Sequence, residues 1–285
     1  MPVPTQPTRE DVILQGMIDA GQYLITNTSP SYTIFLASHW ETLKTEIWNA
    51  CRTDRFLEST ACVVVPVGQS TVTLPTDFDN EISLVVYDAQ APYRGTAQAG
   101  GLSTSLTLAS TFTATPADLF GRYIFTLAGA GAGQFRQITA YNDTTKILTV
   151  DSAWAVTTDN TTQYLIGIVA YQLMRADYVR PLLPSYRPTQ YMRLGTGIQV
   201  FPAGDQLYPI LMTYRANLTR MNDTTDATFL KHLQERRYLW SEGVKTRTMS
   251  RYDDDRYQAQ KAYWDKCLQQ YGAQNVVYAT MVGHR

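Results

Sequence analysis

Three histidines, His39, His232 and His284, and three cysteines, Cys51, Cys62 and Cys267, are the side chains here best suited to metal binding or nucleophilic chemistry. None falls into an HxxxH, HExxH or CxxC spacing, and the histidines lie on two separate helical stretches and the extreme tail, so no metal site is expected. No cysteine has a neighbouring base, and no Gly-x-Ser-x-Gly elbow is present. The run Gly129-Ala130-Gly131-Ala132-Gly133 has the composition of a phosphate loop. No Gly-Lys-Ser/Thr follows it, and the next stretch reads as a strand, so the backbone amides lack the helix N-terminus that would cradle a phosphate. A strand-joining turn is the expected role. Asp253-Asp254-Asp255 has the residue types for acid–base work or a divalent ion. Acids at the start of a helix are also favoured by its dipole, which accounts for such a run without chemistry. These residues give no expectation of catalysis or of a cofactor.

The densest charge is basic: Lys231, Arg236, Arg237, Lys245, Arg247 and Arg251, offset only by Glu235 and Glu242. A solvated helix face explains such a segment; contact with an acidic partner surface, or with nucleic acid through unspecific phosphate attraction, is the functional alternative. The formal net charge of −1 argues against a globally basic nucleic-acid binder. Nineteen tyrosines suit subunit interfaces as well as cores. The odd, widely spaced cysteines argue against a disulfide framework and for reduced thiols in a protein made in a cytoplasm. Met1 to Thr8 has no basic and apolar signal pattern, and no apolar run approaches the 18 or so residues that span a membrane, so no membrane partner is expected.

The elements that must position these side chains change character along the chain. Thr8, followed by Glu10 and Asp11, opens a helix whose apolar face is Ile13, Met17, Ala20 and Leu24, and Asn27-Thr28-Ser29 closes it. Ser29-Pro30 starts a second helix, with Phe35, Trp40, Leu43, Ile47 and Cys51 turned to a core. From Cys62 the period becomes two: 62–67, 70–74 and 81–87 read as strands, the first two joined by a hairpin at Gly68-Gln69. Arg94 to Ile166 is a discontinuity, rich in Thr, Ser, Ala and Gly and reading as short strands throughout, which suggests an all-β module inserted into another domain. Ile168 to Arg180 is amphipathic and expected to be helical; 197–202 and 207–214 form a further hairpin, and strands on the two sides of the insertion can share a sheet. Phe229, Leu233, Trp240 and Val244 line one helix, and Tyr257, Trp264 and Tyr271 repeat every seven residues along the last, which Gly272 is expected to end. The tail 273–285 has strand character in Val276, Val277, Tyr278, Met281 and Val282. The expected class is α+β: a helical bundle with a small antiparallel sheet (1–93 and 167–272), an inserted all-β module (94–166) and a C-terminal extension (273–285).

Paired N-terminal helices, the segment Val72-Thr-Leu-Pro-Thr-Asp-Phe78, the strands Ile198 to Pro202 and Tyr208 to Tyr214, and the aromatic helix Tyr257 to Tyr271 together resemble the head-to-tail adaptor (connector) proteins of tailed bacteriophages. The resemblance covers residues 8–93 and 167–272. The segments Gly131 to Lys146 and Thr149 to Trp154 separately resemble a β module of phage virion proteins. What the resemblance implies is a non-catalytic ring, commonly twelve-fold, docked under the portal protein around the DNA exit channel and joined to tail or nozzle proteins. It implies a virion location in the neck or tail, proximity to packaged DNA, and a C-terminal extension entering grooves between portal subunits. Val276, Val277, Tyr278, Met281, Val282, His284 and Arg285 would then contact the portal. Another neck, tail-tube or baseplate protein is the nearest alternative. A carbohydrate- or receptor-binding virion protein is a further one, since a Thr/Ser-rich β module with exposed aromatics suits sugars.

Overall fold

The computed structural model describes residues 8–22, 25–52, 54–89, 92–98, 102–176, 186–195, 197–251 and 255–282, with side chains as far as 272. Helix α1 (Arg9–Asp19) begins on a capping box: the Asp11 amide donates to the Thr8 hydroxyl and the Thr8 amide donates to the Asp11 carboxylate. It ends earlier than its apolar spacing suggested, because the chain turns at Gly21 with φ of +100°. Helix α2 (Pro30–Ser38) starts with Pro30 in its first turn after Ser29. His39, with φ of −121°, separates it from α3 (Trp40–Cys51), so the expected second helix is two.

Strands β1 (Glu58–Val65), β2 (Thr71–Val72) and β3 (Phe78–Asp88) follow. The turn at Gly68 exists, at φ +69°, but the hairpin does not: β1 and β2 lie in different sheets. Pro66 supplies no amide to a ladder, and the Gly68 amide donates instead to the Gly204 carbonyl at 2.8 Å. Strands β4 (Arg94–Thr96), β5 (Ser105–Thr107), β6 (Tyr123–Ala128), β7 (Phe135–Asn142), β8 (Ile147–Val150) and β9 (Gln163–Ile166) make one six-stranded sheet in the order β4-β9-β6-β7-β8-β5; a short helix α4 (Pro116–Leu119) precedes β6. Gly129, Gly131 and Gly133 all have positive φ in the turn from β6 to β7, where the Gly133 amide donates to Thr126 and Thr126 takes the amide of Gln134. This is the strand-joining turn expected of the glycine run. One face of the sheet buries Leu106, Phe112, Ile124, Leu148 and Tyr164.

Strands β10 (Val169–Gln172) and β11 (Met174–Arg175) stand where a helix was expected from Ile168 to Arg180; 177–180 lie outside the described residues. Antiparallel pairing of Val169 with Asp88 through Gln172 with Val85 overrides the weak amphipathic spacing. Strands β12 (Gln190–Leu194), β13 (Gly197–Phe201) and β14 (Tyr208–Ala216) complete two further sheets, β1-β14-β3-β10 and β11-β12-β13-β2. The expected pairing of β13 with β14 is therefore also replaced: β13 lies between β12 and β2, and β14 between β1 and β3. Strands from before and after the 94–166 stretch do share both sheets.

Helices α5 (Ala227–Glu235), α6 (Arg237–Arg251) and α7 (Tyr257–Val282) close the described chain. Asp226 caps α5 by accepting the amides of Thr228 and Phe229. Residues Phe229, Leu233, Trp240 and Val244 are fully buried as expected, although a break at Arg236 divides them between α5 and α6. Gly272 does not end α7. A glycine within a helix costs only about 1 kcal/mol relative to alanine, and here its lack of a side chain serves contact: a Cβ on Gly272 would lie 3.2 Å from the Ala50 carbonyl.

The protein is mixed α+β, and its internal contacts divide it into two units: 1–59 with 76–80 and 215–285, and 60–75 with 81–214. The first unit contains the helices other than α4. Its core is built on small-residue approaches. A Cβ on Gly16 of α1 would lie 2.6 Å from Val244 Cβ of α6, and one on Gly243 would lie 2.4 Å from Leu43 of α3 and 3.0 Å from Trp264 of α7. In the second unit the other face of the six-stranded sheet, at Phe125, Leu127 and Leu165, packs with Cys62, Val64, Tyr87, Leu207 and Leu211.

Candidate functional site

Gly243 lets α3, α6 and α7 converge, its missing Cβ leaving room for Leu43 and Trp264, and this sets the geometry of a cleft at their junction. The cleft, about 360 Å³, opens between them. Trp264 and Leu268 supply apolar wall; His39, Glu46, Arg247, Lys261 and Asp265 supply polar rim. Two ion pairs hold the rim. Arg247 pairs with Glu46, which also accepts the Trp264 indole N–H at 3.3 Å, and Lys261 pairs with Asp265 at 2.8 Å, one turn along α7. His39 is held below the usual histidine range by burial and by the nearby Arg247 and Arg251 guanidinium groups, so its ring is neutral near pH 7. Beside the cleft, Gln260 bridges Glu242 and Thr246 of α6, and the exposed phenols of Tyr238 and Tyr263 hydrogen-bond at 2.6 Å.

A second polar group is buried near the end of α3. Asp54, wholly inaccessible, accepts Arg236 Nε–H at 2.7 Å and the Phe56 amide at 3.1 Å. His232 is also wholly buried; the Trp240 indole donates to its Nδ1 at 3.3 Å, which leaves Nε2 protonated, 3.8 Å from Asp54 Oδ2. Burial depresses His232 to about 4, partly countered by Asp54, and pushes the Cys51 thiol up to about 12. A cysteine, a histidine and a carboxylate thus occupy one region, but the thiol is protonated and no surface reaches it. The trio is a structural network rather than a nucleophilic one. A third network fixes α1 and α3 to the segment before α5: Asp223 receives Lys44 at 2.8 Å, the Trp40 indole at 2.6 Å and Arg9 at 3.3 Å.

The second unit has its own polar cluster. Arg187 stacks 4.6 Å over the Tyr171 ring and reaches Asp88 at 3.7 Å, while Arg94 donates to the Leu207 carbonyl and lies over Tyr208, whose hydroxyl donates to Asp205. Burial raises both phenols, so they stay neutral; the Tyr208 hydroxyl donates, while the buried Tyr171 hydroxyl has no hydrogen-bond partner among the described residues.

The basic residues singled out in the sequence do not form one solvated face. Arg236 is bound to Asp54 and packs over Phe56 and Tyr271; Arg247 is bound to Glu46; Lys245 is half-buried, 4.0 Å from Glu242. Lys231, Arg237 and Arg251 are exposed, with Lys231 against the Phe56 ring. Of the tail, Val276, Val277, Tyr278, Met281 and Val282 lie on the helical backbone of α7 rather than on a strand, and His284 and Arg285 lie outside the described residues, as do Asp253 and Asp254. In the sequence His39 stands out only as an isolated histidine without metal-ligand spacing, and Glu46 and Asp265 read as ordinary charged helix positions. The Tyr257–Trp264 spacing was the available signal for the cleft, but a heptad of aromatics reads equally as core.

Among the described residues no helix is long and apolar enough to cross a membrane, and no group of three His, Cys, Asp or Glu side chains is placed to hold a metal ion. Compared with known proteins, the chain matches no protein-family model and no curated protein sequence.

Proposed function

We propose that the protein is a structural virion component, a head-to-tail adaptor that forms a ring beneath a portal protein around the DNA channel and connects it to the tail. The observation that supports this reading is the gathering of the N-terminal and C-terminal helices into one unit, with α1 and α7 both packed on α6, in the order the adaptor-like motifs have in the sequence. A unit of this kind exposes paired tyrosines and long helix faces, which suit repeated subunit contacts. Its ion pairs and buried networks fix helices to one another, and the reading needs no catalytic group. The portal-facing element is then the C-terminal half of α7, presented as a helix, together with the residues that follow it. Tail or nozzle proteins and further copies of the chain are the other partners, and DNA is a neighbour held by unspecific charge.

The test is assembly. Mixed with purified portal rings, the protein is expected to give rings decorated on one face in electron micrographs, and a chain shortened after Gly272 is expected to stay folded but lose that decoration. Absence of any complex across a range of salt concentrations would overturn the adaptor reading.

A further inference from the structure

We propose that the cleft between α3, α6 and α7 binds a neutral sugar ring, which lies against Trp264 and Leu268 and exchanges hydrogen bonds with His39, Ser250 and Tyr257. The volume, about 360 Å³, stands at the small end of ligand pockets and takes one or two such rings rather than a dinucleotide cofactor. The apolar wall is set before a ligand arrives: Glu46 accepts the Trp264 indole N–H at 3.3 Å and is itself bound by Arg247, so the indole has one orientation.

Charge points to a neutral occupant. Each cation lining the cleft already has a carboxylate that lines it too, Arg247 with Glu46 and Lys261 with Asp265, so the two pairs sum to zero. An ionic ligand would have to displace one member of a pair and leave the other opposed. His39 adds no charge near pH 7, because burial and the nearby guanidinium groups hold it below the usual histidine range. The groups left for a ligand are uncharged. Among the described residues the His39 ring nitrogens and the hydroxyls of Ser250 and Tyr257 make no hydrogen bond, and none of these three residues is buried, so a ligand in the cleft can reach them. A neutral imidazole donates at one nitrogen and accepts at the other, and each hydroxyl does both. A pyranose is apolar over its C–H face and carries hydroxyls around its edge, so it satisfies the wall and these groups together. A neutral peptide side chain would reach one or two of them and lose more rotamer freedom in doing so.

This goes beyond the adaptor reading and does not depend on ring formation, so sugar binding and portal binding can fail separately. The full chain labelled with 5-fluorotryptophan is titrated with the methyl glycosides of glucose, galactose, mannose and N-acetylglucosamine, while fluorine NMR follows the Trp264 resonance, assigned by Trp264→Phe. Glycerol and the anionic methyl glucuronide are the controls. At least one neutral glycoside is expected to shift that resonance and saturate with a Kd of about 1–10 mM, as suits one ring in a small site. Tyr257→Phe keeps the aromatic ring and removes only the hydroxyl, so the thermal midpoint is expected to hold while binding weakens about fivefold. A resonance unmoved by all four glycosides, an equal response to glycerol, tighter binding of the glucuronide than of the neutral glucoside, or an unchanged affinity in Tyr257→Phe would each overturn the proposal.

Discussion

His232 shows how a single side chain carries a pH dependence that its neighbours create. Its ring is buried, fixed by the Trp240 indole, and its pKa is depressed from 6.5 to about 4. The unfolded chain therefore binds a proton more readily than the folded one between these values. Stability is full above about pH 6.5 and falls as the pH drops toward 4, and the difference amounts to about 3 kcal/mol. Denaturant unfolding at several pH values is expected to show this slope, and His232→Gln to flatten it; a wild-type slope in the variant would assign the effect to other groups. None of this is visible in the sequence. His232 sits on an amphipathic stretch beside Lys231 and four residues before Arg236, and only the arrival of Asp54 from a distant part of the chain shows it to be core.

Elements follow local rules until another element competes. The Thr8–Asp11 box, Pro30 after Ser29 and the buried positions of α5 and α6 were all legible, because capping and helical periodicity act within a few residues. Strand pairing was not. The turn at Gly68 was correctly placed, yet its flanking strands belong to different sheets, since nothing local tells Val72 to pair with Ile198. Glycine is the residue type whose meaning changes most with context. Gly16 reads as a weak point in α1, but it is the site where α1 touches α6, its missing Cβ only 2.6 Å from Val244 Cβ. Gly16→Ala, which would stabilise an isolated helix, is expected here to destabilise the protein by about 1–3 kcal/mol, measured as a lower thermal midpoint. A rise in the midpoint would show that the two helices can part without cost.

At the scale of the molecule the six-stranded sheet is built from residues 94–166 and no others, while its Phe125–Leu165 face is shared with β1, β3 and β14. Replacing 95–165 by a Gly/Ser linker is expected to uncover Val64, Tyr87 and Leu211, giving strong binding of a hydrophobic dye and a lower thermal midpoint. A cooperative variant with unchanged midpoint and no dye binding would mean that this shared face contributes little. The sequence by itself determined the mixed α+β composition, the caps, the glycine turn after β6 and the apolar positions of the closing helices, since each is set by neighbours in the chain. Tertiary structure alone decided that 168–175 is strand, that α7 runs through Gly272, and that Glu46, Arg247 and Trp264 meet at one cleft. The physical reason is common to all three: edge pairing, close approach of backbones and ion pairing are long-range contacts, worth more than the small local preferences they override.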